Sequence, residues 1–117
     1  AATALPKFAS LQGDARSASI NSAAGAVKSA MNIVHAKHLI EGDGDAGSVT
    51  LEGNTIITTA FGYPNAATIA AAAGISTDDY TISNGDISLK TDCKVVYVAA
   101  ADATTLPTVT VTTTGCN

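Results

Sequence analysis

Apolar side chains recur at helical spacing through the first forty residues. Ile20, Ala24, Val27, Met31 and Val34 fall three or four residues apart and lead to His38 on the same line. At about 100° per residue they make a single stripe. Phe8, Leu11, Ala15 and Ala18 make an earlier stripe, centred roughly 150° away around the axis. The pattern predicts one long helix over residues 1–40 that changes face between Ala18 and Ile20. Ile20, Val27, Met31 and Val34 then hold the helix to its own sheet. Phe8, Leu11, Ala15 and Ala18 form a face offered to another subunit. A helix buried all round would need a larger chain to surround it. Pro6 sits inside the first turns, and the expectation is that the helix continues above it and bends there.

Beyond the helix the period changes. Gly42, Gly44 and Gly47 break it, and Val49 and Leu51 then alternate with polar residues. Glu52-Gly53-Asn54 reads as a turn, Ile56 to Thr59 as the returning strand, and Tyr63-Pro64 as its end. Asn65 and Gly74 bracket a short Ala-rich helix as N-cap and C-cap. A short strand is expected near Tyr80–Ile82, a tight turn at Asn84-Gly85 and a strong strand from Cys93. A last strand follows, with Val109 and Val111 on one face and threonines on the other. The class is α+β: one long N-terminal helix packed on a small antiparallel sheet. The chain reads as a single domain, 1–117, divided into the helix (1–40), a connecting αβ region (41–92) and a C-terminal region bounded by cysteines (93–117).

Composition narrows the function classes. Of 117 residues 46% are hydrophobic, but only 14% are charged and 4% aromatic, with no Trp. The core must be built from Ala, Val, Ile and Leu. No run approaches the roughly 18 apolar residues of a membrane span. The net charge of −4 is uneven: residues 1–40 hold four cations against Asp14, and residues 41–117 hold two against nine acids. No dense basic patch points to nucleic acid. Cys93 and Cys116 are two idle thiols in a reducing compartment, or a disulfide closing about 24 residues in an exported protein. The even count and the absence of a CxxC motif favour the disulfide.

Catalytic chemistry finds little support. His35 and His38 share a helix face with Asp43 and Asp45 beyond, but two histidines without further ligands are a weak metal signal. Asp43-Gly44-Asp45 resembles the start of a calcium loop, yet Asn54 stands where the bidentate Glu is needed. Asp78-Asp79 reads as a solvated pair. GxSxG, P-loop and GxGxxG motifs are absent. The threonines from Thr104 to Thr114 are either O-glycan acceptors or the solvent face of an edge strand. No catalytic residue, cofactor or metal is expected, and the chain does not read as an enzyme.

A helix opening "TALPKF" and running through "LQGDARSASINSAAGAVKSAMNIVHAK" resembles the type IV pilins, most closely those of the mannose-sensitive haemagglutinin type. The likeness extends through "LEGNTIITTAFGYPNAATIAAAAGI" to the closing "CKVVY…LP…TTTGC", nearly the whole chain. It implies a pilin fold and a structural subunit that polymerises by helix packing into an extracellular filament used for attachment or motility. It also implies a hydrophobic segment ahead of Ala1, held in the inner membrane before assembly and in contact with the assembly machinery. Pro6 matches a kink position of the family helix, and Cys93 and Cys116 match the pair that bounds its C-terminal loop. No aromatic or basic cluster between Val98 and Gly115 points to a host or surface ligand. Two alternatives keep different roles: a pseudopilin of a type II secretion system, and a monomeric secreted binding module.

Overall fold

The computed structural model describes the backbone of residues 4–41 and 46–117. Within those ranges side chains are described from Gln12 onward, except at positions 46, 54–56 and 58. The first element is a 38-residue helix, α1 (Ala4–Glu41), about 57 Å long at 1.5 Å per residue.

Two antiparallel sheets lie against α1. The first holds β1 (Ala46–Leu51), β2 (Thr55–Ala60) and β3 (Tyr63–Pro64), in that order. A 3-10 turn over Glu52–Asn54 joins β1 to β2, where the turn residues predict it. β3 departs from the sequence reading, which ends the strand at Tyr63-Pro64. Instead Phe61 and Gly62 turn the chain back, and Tyr63 and Pro64 pair with Ala60 and Thr59. A proline is tolerated there because a sheet edge needs no donor from it.

A short helix, α2 (Ile69–Ala72), follows. It is shorter than its Ala-rich sequence suggests, and its N-cap is Thr68 rather than Asn65. Asn65 still organises the approach, since its side-chain oxygen accepts from the Thr68 N–H and hydroxyl. At the other end the Gly74 N–H donates to Ala71 and the Ile75 N–H to Ala70. This is the paired closure that a glycine just past a helix permits.

The second sheet runs β4 (Thr81–Ser83), β5 (Asp86–Lys90), β6 (Cys93–Val98) and β7 (Thr108–Thr112). Asn84 and Gly85 both take positive φ in the turn between β4 and β5, as a two-residue hairpin demands. A side chain at Gly85 would also strike the Tyr97 carbonyl. β5 has no clean alternation of its own, because the register with β6 shifts between Ser88 and Lys90. The connecting and C-terminal regions thus contribute two strands each to one sheet.

The larger core lies between α1 and the second sheet: Ile20, Ala23, Ala24 and Val27 against Ile69, Ile87, Val95 and Tyr97, with both cysteines. Each fully buried aliphatic side chain contributes about 1.5–3 kcal/mol relative to exposure. A smaller core, Val34, Val49 and Ile57, holds the three-stranded sheet to the C-terminal part of α1. A hydrogen bond ties the sheets together: the buried Tyr97 hydroxyl donates to the Pro64 carbonyl at 2.6 Å. Burial, with Tyr63 nearby, pushes the Tyr97 hydroxyl well above the ordinary tyrosine range, so it stays a donor. Tyr97→Phe leaves that carbonyl without its donor and is expected to cost about 1–3 kcal/mol. Urea unfolding measures this, and an unchanged midpoint would show that the bond contributes nothing net.

The cysteines form the predicted disulfide, with S–S 2.07 Å and both residues fully buried. The end of the chain is fastened around it. Arg16 Nη1 donates to the Cys116 carbonyl at 3.0 Å, Lys90 Nζ donates to the Asn117 oxygen, and the Gly115 N–H donates to Asp92. A Cβ at Gly115 would come within 2.1 Å of the Thr91 carbonyl, so this close approach needs glycine.

Candidate functional site

From Gln12 onward α1 is buried on one side and open on the other. Ile20, Val27 and Val34 are fully buried, and Met31 is half-buried at the margin of the larger core. The opposite face carries Ala15, Ala18, Ser22, Gly25, Ser29, Ala36 and Ile40, all exposed. From Ala15 to Ser29 these positions recur at three- and four-residue spacing, and Ala36 and Ile40 fall on the same line two turns on, roughly opposite the buried one.

This differs from a helix that switches face between Ala18 and Ile20. The inner face is already engaged at Gly13, which is buried beside Asn117, and at Arg16. The outer face does not stop at Ala18. The side chains of Phe8 and Leu11 lie outside the described residues. Large apolar residues mark the inner stripe clearly in the sequence. The outer stripe is written in Ala, Gly and Ser, which hydropathy periodicity barely registers.

The outer stripe is low in charge and short in side chain. Asp14 and Lys28 sit on its flank, while Ile33 and Leu39 add exposed apolar surface toward the C-terminal end. Chemically such a surface can do one thing well: let another backbone approach closely, with little side-chain entropy to lose. Beside it, Ile33, Leu51, Glu52, Ala71, Ala72 and Gly74 line an open groove of about 500 Å3.

The two histidines are brought together on the C-terminal part of α1. Their rings are nearly parallel, 17° apart with centroids 6.4 Å apart. His35 lies flat on Tyr63 at 4.0 Å. Among the described residues no group of three or more His, Cys, Asp or Glu could hold a metal ion. The candidate calcium residues Asp43 and Asp45 lie outside the described residues. Asp78 and Asp79 are exposed in the loop before β4. Asp102, in the exposed loop between β6 and β7, is held below the usual carboxylate range by hydrogen bonds from the Thr105 and Thr104 hydroxyls and the Thr104 N–H. These bonds shape that loop, and no nucleophile or base stands beside them in the described contacts.

The architecture is therefore a pilin-like α+β arrangement: a long N-terminal helix on antiparallel sheet, closed near the C-terminus by a disulfide. Comparison with protein-family models, with characterised proteins and with solved structures gives no match. Among the described residues no helix is long and apolar enough to cross a membrane.

Proposed function

We propose that this chain is the head domain of a type IV pilin of the mannose-sensitive haemagglutinin type, a structural subunit that polymerises into an extracellular filament for attachment or motility. The observation that carries the reading is the outer stripe of α1. A helix whose inner face is used by its own domain still presents a line of small, uncharged residues, Ala15, Ala18, Ser22, Gly25 and Ser29, on its exposed side. Between subunits, such a line allows helices to pack closely at a shared axis. The second sheet and the disulfide-closed C-terminal region then face outward.

Its partners in this reading are further copies of the same subunit. The inner membrane and the assembly machinery are reached through the hydrophobic segment that the resemblance places upstream.

Gold-labelled antibodies raised against this domain should decorate long surface fibres, and deleting its gene should remove those fibres. Intact fibres with lost protein secretion would instead assign the chain to the secretion pseudopilins. Release of the domain as a free monomer, with neither effect, would leave a secreted binding module.

A further inference from the structure

β7 is the last strand of the four-stranded sheet, and among the described residues no backbone hydrogen bond is made on its open edge. The direction of its backbone groups follows from β6. The Tyr97 N–H donates to the Gly85 carbonyl at 2.8 Å, on the β5 side. Tyr97 and Val109 are therefore opposite one another without mutual hydrogen bonds, and the N–H and C=O groups of Val109 and Val111 point away from β6.

Folded proteins usually blunt such an edge with charge, proline, a bulge or a very short strand. β4, at the other edge of this sheet, has three residues and stands between Asp79 and Asp86. β7 has five residues in unbroken register, and no Asp, Glu, Lys or Arg occurs from Ala103 to Asn117. Pro107 precedes the strand and leaves its edge open. The core beneath is incomplete there as well. On the inner face Val95 and Tyr97 of β6 are buried, whereas Val109 and Val111 beside them stay half-buried. One more strand on this edge would cover them.

The residues of the edge define the strand that fits. Thr108-Val109-Thr110-Val111-Thr112 reads the same in both directions. A second copy laid antiparallel about Thr110 sets Val109 opposite Val111 and Val111 opposite Val109, where their outward N–H and C=O groups exchange hydrogen bonds. Thr110 meets Thr110, and Thr108 meets Thr112, as cross-strand threonine pairs on the outer face. A slip of one residue sets valines against the wrong face, and a slip of two leaves strand ends unpaired. An unrelated strand has no such reason to choose this register.

We infer that β7 is a self-pairing edge: two copies of this chain join through antiparallel β7 strands about a two-fold axis at Thr110, making one continuous sheet with both α1 helices on the same face. Such a contact is isologous and closes at two copies. It is small beside a standard interface, so the dimer forms at roughly 0.1 mM and above. It does not rest on the filament reading, and the outer stripe of α1 takes no part in it.

Sedimentation velocity of the disulfide-bonded chain from about 0.01 to about 1 mM tests this. The mass should rise toward twice that of the monomer, and the Val109 and Val111 amides should gain about threefold or more in protection from hydrogen exchange over the same range. Thr110 is exposed. Thr110→Lys and Thr110→Glu each bring like charges face to face at the axis and should each stay monomeric. Mixed in equal amounts, they should associate again. Ser83→Lys, on the exposed β4 edge, and Ala18→Arg should dimerise like the wild type. Should neither Thr110 variant fold, the amide protection of the wild type decides. A wild-type chain that stays monomeric, or gains no protection at Val109 and Val111, would overturn the inference. So would dimers that persist in both Thr110 variants, a mixture of the two that stays monomeric, or dimers lost equally in Ser83→Lys. Association abolished by Ala18→Arg would overturn it too, and would assign the contact to the outer stripe of α1.

Discussion

Replacing Cys93 and Cys116 together by alanine is expected to lower the stability of the domain by about 2–5 kcal/mol. For a chain of this size, that is a fall in melting temperature of roughly ten degrees or more. The bridge joins the first residue of β6 to the tail beyond β7, closing the hairpin at its open end. Without it the hairpin register survives, because Lys94↔Thr112 through Val98↔Thr108 are paired independently. The tail beyond it does not have that support. Arg16 and Lys90 would grip carbonyls on a fraying end, and two fully buried positions in the larger core would be left underfilled. Part of the cost also arises in the unfolded chain, which gains freedom once the loop is open. Calorimetry on the double variant measures the effect. A shift of about two degrees or less would show that the hairpin and the Arg16 contact hold the tail without the bridge.

Much of this architecture is legible in the chain because large side chains and turn residues mark it. The inner stripe of α1 is written in Ile20, Val27 and Val34, all fully buried. Asn84-Gly85 forms the turn it predicts, and Val109 and Val111 are the partly buried residues of β7 that pack on the core. Other features depend on partners distant in sequence. Tyr63-Pro64 is too short to signal a strand, and becomes one only because Phe61 and Gly62 return it to β2. The irregular pairing at Ser88 and Lys90 hides β5. The division into two sheets, joined by the Tyr97–Pro64 hydrogen bond, has no local signature, because it depends on pairings distant in sequence. The outer stripe is legible only once burial is known, since Ala18, Ser22 and Gly25 look alike in a hydropathy pattern whether covered or bare. The His38 environment is similar: the sequence places His35 and His38 on one face, but which of them is sealed depends on the turn 24 residues beyond His38.

Under the proposed function, the outer stripe is also where a single substitution is expected to have its largest effect. Ala18 lies on it, exposed, with the fully buried Ile20 close by on the opposite side of the helix. An arginine at position 18 points into solvent in the isolated domain, where such surface changes shift stability by about 0.5 kcal/mol or less. At a close helix–helix contact the same side chain would block the approach and bury an unpaired charge. Ala15→Glu on the adjoining turn should act in the same way, with the opposite sign of charge, which separates steric exclusion from any particular ion pair.

The most direct measurement is therefore electron microscopy of filaments from cells carrying Ala18→Arg in the full-length protein, paired with the melting temperature of the isolated variant domain. The account predicts that filaments are absent while the domain melts within about two degrees of the wild type. Filaments of normal number and length from cells producing the folded variant would contradict it.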